Sequence, residues 1–175
     1  MSTTQIDLKS LIRDIPDFPK PGILFKDITP LLSHPAAFKQ AIGQIADRYR
    51  DQQIDAVVSA EARGFIFAAP LALELGVGFT PIRKPGKLPY QTHTHEYDLE
   101  YGSDKLQIHT DGVAHGHRVL VVDDLLATGG TIEACCQLVE KIGGQVVECC
   151  FLIELAFLEG RKKLSHRKIF SLLTF

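Results

Sequence analysis

Short apolar runs alternate with helix-like segments over most of the chain. The strand-like runs are rich in β-branched residues: 54–60 (IDAVVSA), 77–84 (VGFTPIRK), 118–124 (RVLVVDD) and 145–155 (QVVECCFLIEL). Between them, 64–76 and 131–144 have helical patterns, and Gly143 or Gly144 suits the left-handed end of the second helix. This alternation predicts an α/β fold in which helices flank a central, mainly parallel sheet.

The N-terminal part has a different pattern. Residues 6–15 (IDLKSLIRDI) space their apolar positions like a short amphipathic helix. Prolines and a glycine follow between residues 16 and 22, so regular helix is not expected there. The apolar stretch 23–32 is interrupted by polar residues and Pro30, and residues 35–50 predict a helix with proline in its first turn.

A polar and aromatic segment, residues 93–109, interrupts the alternation. It predicts a β-hairpin whose strands, HTHEYDLEY and LQIHT, are joined by a turn at Gly102, Ser103 and Asp104. A hairpin that leaves an α/β sheet in this way is a candidate flap over an active site. Because the chain has no repeat, low-complexity tract or linker, its 175 residues are predicted to form one domain.

Composition narrows the classes of protein that fit this pattern. With 45% hydrophobic and 23% charged residues, the chain is typical of a globular domain. A net charge of −2 and a pI of about 6.4 predict no attraction to nucleic acid or to an anionic membrane. No segment has the apolar length of a signal peptide or a membrane span, so we expect a cytoplasmic protein. The four cysteines form two adjacent pairs without metal-ligand spacing and are expected to be reduced core residues.

The strongest functional signal is the segment Val119–Thr131, VLVVDDLLATGGT. It predicts a buried strand with Asp123 and Asp124 at its carboxyl end, followed by a glycine-containing loop that begins a helix. Ligands of open α/β sheets bind beyond the carboxyl ends of the strands, and the N–H groups at a helix start suit an anion. We therefore expect a phosphate to bind residues 127–131, which are Ala127, Thr128, Gly129, Gly130 and Thr131.

Two carboxylates beside a phosphate need a further explanation, because anions repel one another. A ligand with a phosphate, adjacent hydroxyls and a divalent cation provides one, since ribose hydroxyls donate to carboxylates and Mg²⁺ binds them directly or through water. The motif therefore predicts a ribose 5-phosphate site. Arg63 stands at a helix start, where the dipole does not favour a cation, and Arg83 and Lys84 follow the next strand. A further anionic group on the ligand would explain these cations.

The segment VLVVDDLLATGGT resembles the 5-phosphoribosyl-1-pyrophosphate (PRPP) motif of the type I phosphoribosyltransferases, in the form typical of their adenine-specific members. The resemblance extends over most of the chain, through DFPKPGILFKDITPLL, SAEARGF, RKPGKLP, LEYG and a final SLL. It implies a Rossmann-like type I phosphoribosyltransferase fold with an N-terminal hood over about residues 1–34 and a flap over about 88–109. It also implies transfer of the phosphoribosyl group from PRPP to adenine, which yields AMP and pyrophosphate.

The same resemblance implies roles for individual residues. Asp123 and Asp124 would bind the ribose hydroxyls and stabilise the positive charge that develops on the ribose. The cations Arg63, Arg83 and Lys84 would bind pyrophosphate. Mg²⁺ would be held mainly through PRPP and water, with no dedicated protein ligand.

In the flap, the resemblance gives a role to Glu100, which would exchange a proton with the purine beside Tyr101. A solvated hairpin position fits Glu100 equally well. His93 and His95 receive no role from the resemblance.

The adenine site is the least evident from the residue types. The resemblance locates it at Leu24, Phe25 and Lys26 of the hood, where Phe25 would stack on the purine and the backbone at Leu24 and Lys26 would bind its amino edge. Leu155, after the last long strand, would close the other face. Core packing is the alternative role for Phe25.

Two other functions are compatible with a PRPP-binding chain. A phosphoribosyltransferase for another base is one, but the hood and the LEYG flap favour adenine. A PRPP-sensing regulator that binds nucleic acid is another, but such proteins generally need an added domain or a basic face, and the net charge is slightly negative. The resemblance also implies a homodimer, with Arg83 near the partner subunit.

Overall fold

The computed structural model describes residues 5–98 and 103–175, and the chain divides between Gln44 and Ile45 into two compact units. The first unit contains a 3₁₀ turn (Leu8–Leu11), strand β1 (Arg13–Pro16), strand β2 (Leu24–Asp27) and helix α1 (Thr29–Leu32). Helix α2 (Pro35–Tyr49) begins in this unit and extends past the division, which confirms the helix predicted over residues 35–50.

The amphipathic helix predicted over residues 6–15 is wrong beyond its first turn. A 3₁₀ turn covers Leu8–Leu11, and the chain is extended over Arg13–Pro16. β1 pairs antiparallel with β2, so that Ile15 lies opposite Phe25. Strand pairing provides partners for the backbone groups of this segment, whereas a short isolated helix is only marginally stable in water.

The second unit is built on a parallel sheet. In chain order its elements are β3 (Ala56–Ala60), α3 (Gly64–Leu75), β4 (Gly78–Ile82), β5 (Thr92–Asp98), β6 (Ser103–His109), β7 (Arg118–Leu126), α4 (Gly130–Lys141), β8 (Gln145–Glu154), a 3₁₀ turn (Ala156–Leu158), α5 (Gly160–Lys163) and β9 (Ile169–Thr174). Five of the strands form a sheet in the order β4-β3-β7-β8-β9, and every neighbouring pair is parallel. The predicted α/β fold with a central parallel sheet and flanking helices is confirmed. β9, which lies at the edge beside β8, was not predicted.

Helices cover both faces of the central strands. On one face, Val119 and Val121 of β7 belong to a buried cluster with Val58 of β3 and Leu138 of α4. Successive side chains of a strand alternate in direction, so Leu120 faces the opposite side, where α3 contacts β3 and β7. Coverage of both faces explains why these strands are continuous apolar runs rather than alternating ones.

The predicted hairpin is present as β5 and β6, which pair antiparallel along their described lengths. The turn predicted at residues 102–104 is wrong, because Ser103 and Asp104 belong to β6 and pair with β5. Leu106 and Ile108 of β6 are fully buried in the same apolar cluster as α4. Packing of the second strand into the core therefore extends the pairing further than turn-forming residue types indicate.

Two expectations drawn from composition concern the cysteines and membranes. All four cysteines are buried and free of disulfides, and the Sγ atoms of Cys136 and Cys149 lie 3.5 Å apart. Burial raises the pKa of the Cys135 thiol well above its ordinary value, so this side chain stays protonated in the core.

In the part of the chain that the structure describes, no helix is long and apolar enough to cross a membrane.

Within the second unit, Arg48 links α2 to β8. Its Nη2 lies 2.8 Å from Oε1 of Glu148, whose side chain is 6% exposed. We predict that Arg48→Met lowers the free energy of unfolding by about 1–3 kcal/mol, because it leaves a buried carboxylate without its charged partner. Denaturant titration measures the loss. Arg50→Met is the matched control, since Arg50 pairs with exposed carboxylates and its loss should leave the midpoint nearly unchanged. Equal losses in the two variants would contradict the prediction.

Candidate active site

The end of β7 and the start of α4 enclose a cavity of about 90 Å³. Asp123 and residues 125–132 line it, and these include all the residues predicted to bind phosphate: Ala127, Thr128, Gly129, Gly130 and Thr131. The strand continues to Leu126, so Asp123 and Asp124 lie within its last residues rather than after its end. α4 begins at Gly130, so the last two of the residues predicted to bind phosphate belong to its first turn, and that turn, whose N–H groups have no intrahelical acceptor, lines the cavity.

Close backbone approach shapes this edge of the sheet. Gly129 has a φ of +85°, and a Cβ atom there would lie 2.9 Å from the carbonyl oxygen of Gly160. At Gly64, the first residue of α3, a Cβ atom would lie 2.2 Å from Ser59 Oγ and 2.7 Å from Asp123 Oδ1. A side chain at either glycine would displace its neighbours, so glycine is required at both positions.

The two aspartates differ in their surroundings. Asp123 is half-buried, whereas Asp124 is 4% exposed, and Oδ2 of Asp124 lies 2.9 Å from Nη2 of Arg63. Among the described residues no hydrogen-bond donor is aligned with that oxygen, so the contact is an ion pair. Burial and the charge of Asp124 raise the pKa of Asp123 well above its ordinary value, and burial also raises the pKa of Asp124 against the effect of Arg63. Hydroxyl donors or a cation beside the pair would relieve this unfavourable concentration of negative charge.

Glu61, between β3 and α3, contacts the cations that follow β4. Arg83 Nε donates a hydrogen bond to Glu61 Oε2 at 2.7 Å, and Lys84 N donates to Oε1 at 3.0 Å. Nζ of Lys87 lies 3.3 Å from Oε1. Burial opposes ionisation of Glu61, but the hydrogen bonds from Lys84 and Arg83 lower its pKa. The peptide bond between Glu61 and Ala62 is cis.

A chain of polar contacts leads from Lys84 to residues 127–131, which are predicted to bind phosphate and are called here the phosphate loop. Lys84 Nζ forms an ion pair with Asp104 of β6, which raises the pKa of Lys84 and lowers that of Asp104. Tyr97 OH donates to Asp104 Oδ2 at 3.2 Å and lies 3.5 Å from Thr131 Oγ1. Tyr97 and Asp104 were missed by the sequence reasoning. They are opposite each other in the hairpin register, but the turn predicted at residues 102–104 removed Asp104 from the strand.

The residues predicted to bind the base lie in different units. In the first unit, Leu24, Phe25 and Lys26 are consecutive on β2, where Leu24 is exposed and Lys26 is buried. The Phe25 ring packs edge-to-face against Phe18, with 5.1 Å between the centroids. In the second unit, Leu155 directly follows β8 and is buried.

Two predicted residues, Glu100 and Tyr101, lie outside the described residues. Within residues 5–98 and 103–175, no group of three or more His, Cys, Asp or Glu side chains is arranged to hold a metal ion. In the described part of the chain, the neighbourhood of the cavity therefore combines the loop predicted to bind phosphate with a carboxylate pair and nearby cations.

Comparison with known proteins identifies the family. Residues 27–172 match the phosphoribosyl transferase domain. The chain is 61% identical over 172 residues to the adenine phosphoribosyltransferase of Chloroflexus aurantiacus, covering 98% of this chain and 99% of that protein.

Solved structures are similarly close. The adenine phosphoribosyltransferase of Thermoanaerobacter pseudethanolicus superposes with a TM-score of 0.94 at 56% identity, covering 97% of this chain and 98% of that one. The Saccharomyces cerevisiae adenine phosphoribosyltransferase, in complex with an imino-altritol bisphosphate and adenine, gives a TM-score of 0.90 at 41% identity, covering 95% and 97% of the two chains. The chain therefore belongs to the phosphoribosyltransferase family and, within it, to the adenine phosphoribosyltransferases.

Proposed function

We propose that this chain transfers the 5-phosphoribosyl group of PRPP to N9 of adenine, giving AMP and pyrophosphate. The observation that carries the proposal is the cavity at the end of β7, lined by Asp123 and residues 125–132. Full-length similarity to adenine phosphoribosyltransferases supports both the reaction and the base.

The 5′-phosphate binds the loop Ala127, Thr128, Gly129, Gly130 and Thr131. Backbone N–H groups of the loop and of the first turn of α4 donate to the phosphate oxygens, and the helix dipole favours the negative charge. The ribose hydroxyls donate to Asp123 and Asp124, whose raised pKa values indicate that donors beside them stabilise the ionised pair.

Pyrophosphate binds Arg63, Arg83 and Lys84. Each of these cations is paired with a carboxylate, so a bound pyrophosphate exchanges one anionic partner for another. In the reaction, the C1′–O bond to pyrophosphate breaks as N9 of adenine forms a bond to C1′. Negative charge then builds up on the leaving group, where the cations stabilise it, and positive charge on the ribose, where Asp123 and Asp124 stabilise it.

Adenine binds Leu24, Phe25 and Lys26 of β2, and Leu155 is a further adenine-binding residue. Phe25 stacks on the purine, and the backbone groups of Leu24 and Lys26 bind its amino edge. Glu100 accepts the proton that the imidazole ring of adenine loses as N9 bonds to C1′ and releases it to solvent, with Tyr101 next to it in the sequence. Closure of the hairpin excludes water, which would otherwise hydrolyse PRPP.

Mg²⁺ is the cofactor of the proposed reaction. The donors fit a hard cation, because Asp123 and Asp124 supply carboxylate oxygens, one of them buried without an aligned donor among the described residues. The ion would be held mainly by PRPP and water, and Asp123 and Asp124 would offer it carboxylate oxygens directly or through water. When bound, it neutralises the charge of the departing pyrophosphate.

The proposed setting is the cytoplasm. The free, buried cysteines suit a reducing compartment, in which thiols do not form disulfides.

We predict that PRPP-dependent turnover favours adenine over hypoxanthine, guanine and orotate by at least about 100-fold in kcat/KM. Hypoxanthine and guanine carry a carbonyl oxygen where adenine carries its amino group, so the backbone partners at Leu24 and Lys26 would be left unmatched. A coupled assay of pyrophosphate release measures each rate. Preference for another base would overturn the choice of adenine. No turnover with any base, together with sequence-selective DNA binding at physiological salt, would favour the alternative function, a PRPP-sensing regulator that binds nucleic acid.

We predict that Asp123→Asn lowers kcat/KM by about 100-fold or more and at the same time stabilises the free protein at neutral pH. The raised pKa means that the folded chain keeps a proton that the unfolded chain releases, so stability falls as pH rises from the ordinary carboxyl pKa towards the folded one. An amide does not ionise, and the variant therefore escapes this loss. Thermal melts at pH 4 and pH 7.5 measure the difference.

The matched control for Asp123→Asn is Asp111→Asn, which changes an exposed residue after β6 and should alter neither activity nor stability. Loss of activity with a lower melting temperature at neutral pH would indicate a structural role for Asp123 instead.

A homodimer is part of the proposal, and the surface of α3 supports it. Leu73 is 83% exposed and Ile66 is 37% exposed, and their spacing puts them on one face of the helix. An exposed apolar face of this kind suits contact with a second copy.

We predict that Leu73→Glu shifts the protein from dimer to monomer in light scattering after size exclusion, whereas the control Lys39→Glu, on α2, does not. A monomeric wild-type protein would overturn the dimer.

A further inference from the structure

The segment Leu155–Leu164, called here the support segment, lies directly against the phosphate loop. Gly160 is buried, and a Cβ atom there would lie 2.2 Å from the carbonyl oxygen of Ala127. From the other side, a Cβ atom at Gly129 would lie 3.3 Å from Leu164 Cγ. Since the two backbones touch with no side chain between them, the position of the support segment limits the position of the loop.

An ion pair closes the support segment onto the sheet. Arg161 donates from Nε and Nη2 to the two carboxylate oxygens of Glu154, each at 2.7 Å. Glu154 is 6% exposed at the end of β8, and Ser171 Oγ of β9 also donates to it at 2.7 Å. The hydrogen bond from Arg161 lowers the pKa of Glu154, which keeps the carboxylate ionised. The pair thus joins the residue before the support segment to the residue after Gly160.

The support segment has little regular structure of its own. Its elements are the 3₁₀ turn Ala156–Leu158 and the four-residue helix α5, both too short to be stable alone. Backbone bonds hold its first residues, with Leu155 N donating to Leu126 O at 3.0 Å. At the other end, where Gly160 meets the loop, the bidentate contact to Glu154 and the fully buried side chain of Leu164 restrain the segment from either side of Gly160.

We infer that Arg161, held by Glu154, is a positioning residue for the 5′-phosphate: it keeps Gly160 against the backbone of Ala127 and Gly129 and so sets the shape of the phosphate cavity. Neither charged side chain lines that cavity, so both act through the loop. The inference rests on the proposed function only for the identity of the ligand, a ribose 5-phosphate group.

The test compares variants of the support segment with matched controls. Gly160→Ala introduces the clashing methyl group, and Arg161→Met removes the charge while keeping an unbranched side chain. The control for the first is Gly43→Ala, where a Cβ atom meets nothing within 4 Å. The control for the second is Lys162→Met on the same helix, which breaks an exposed ion pair. Arg161→Lys tests rescue, because lysine keeps the charge but loses the bidentate geometry.

Titration calorimetry with ribose 5-phosphate, together with steady-state kinetics, gives the readout. Gly160→Ala and Arg161→Met are expected to raise the Kd for ribose 5-phosphate and the KM for PRPP by about tenfold or more, which is about 1.4 kcal/mol. The KM for adenine and the kcat should change less, Arg161→Lys should fall between, and both controls should match the wild type. A role confined to folding would lower the melting temperature without this selective effect on phosphate binding.

Unchanged ribose 5-phosphate affinity in folded Arg161→Met and Gly160→Ala would overturn the inference, as would a fall in kcat alone. If these variants do not fold, Arg161→Lys and Ser171→Ala, which each remove fewer contacts, decide it by the same measurements. Wild-type protein that binds ribose 5-phosphate but does not convert adenine would overturn the proposed function. The Kd values of the variants for ribose 5-phosphate would then decide the inference. Wild-type protein that does not bind ribose 5-phosphate would overturn both.

Discussion

The site depends on a close approach of two backbones at the carboxyl end of β7. A Cβ atom at Gly160 would lie 2.2 Å from the carbonyl oxygen of Ala127, and a Cβ atom at Gly129 would lie 2.9 Å from the carbonyl oxygen of Gly160. Any side chain at these positions would push the segments apart. Because none is present, the loop turns directly from strand to helix, and its residues line a small cavity.

Charge imposes a second constraint on the same edge. Arg63, Arg83 and Lys84 each have a carboxylate partner, respectively Asp124, Glu61 and Asp104. These pairs hold the cations at the site without leaving charges unbalanced, but they also mean that an anionic ligand must compete with them. The selectivity of the site therefore depends on the difference between a phosphate group and a side-chain carboxylate. A phosphate group carries more charge and more acceptor oxygens than a carboxylate and therefore binds these cations more strongly.

The sequence predicted the central sheet well because burial on both faces leaves long apolar runs, such as 118–122 and 149–153. The secondary-structure prediction failed where the residue pattern of a short segment does not indicate a single structure. Residues 6–15 have a helical spacing of apolar positions, but only Leu8–Leu11 form a 3₁₀ turn, and pairing with β2 makes Arg13–Pro16 a strand. β9 is short, only partly buried and at the sheet edge, so its sequence lacks the continuous apolar pattern of a central strand.

The connection from β7 to α4 was predictable for a related reason, because its strand, acids, glycines and helix start lie within one segment. The contacts of Tyr97 and Asp104 were not, because they depend on the register of a hairpin whose turn was misplaced. The ion pair of Glu154 with Arg161 was not predictable either. Charged side chains at the end of a strand and after it resemble ordinary solvated residues, and only the fold shows that Glu154 is buried.

These two kinds of contact show that the VLVVDDLLATGGT motif does not form a binding site by itself. The loop is held from outside by Gly160, which is restrained through Arg161 and Glu154, and Glu154 in turn accepts a hydrogen bond from Ser171 of β9. The least predictable strand of the sheet thus supports its most recognisable motif. Leu155 begins the same support segment, and its backbone N–H donates a hydrogen bond to the carbonyl oxygen of Leu126 at the end of β7. If Leu155 closes on adenine as proposed, one short segment restrains both the phosphate end and the base end of the substrates. The separation between N9 and C1′ would then depend on the rigidity of that segment, because the two reacting atoms lie between the groups it positions.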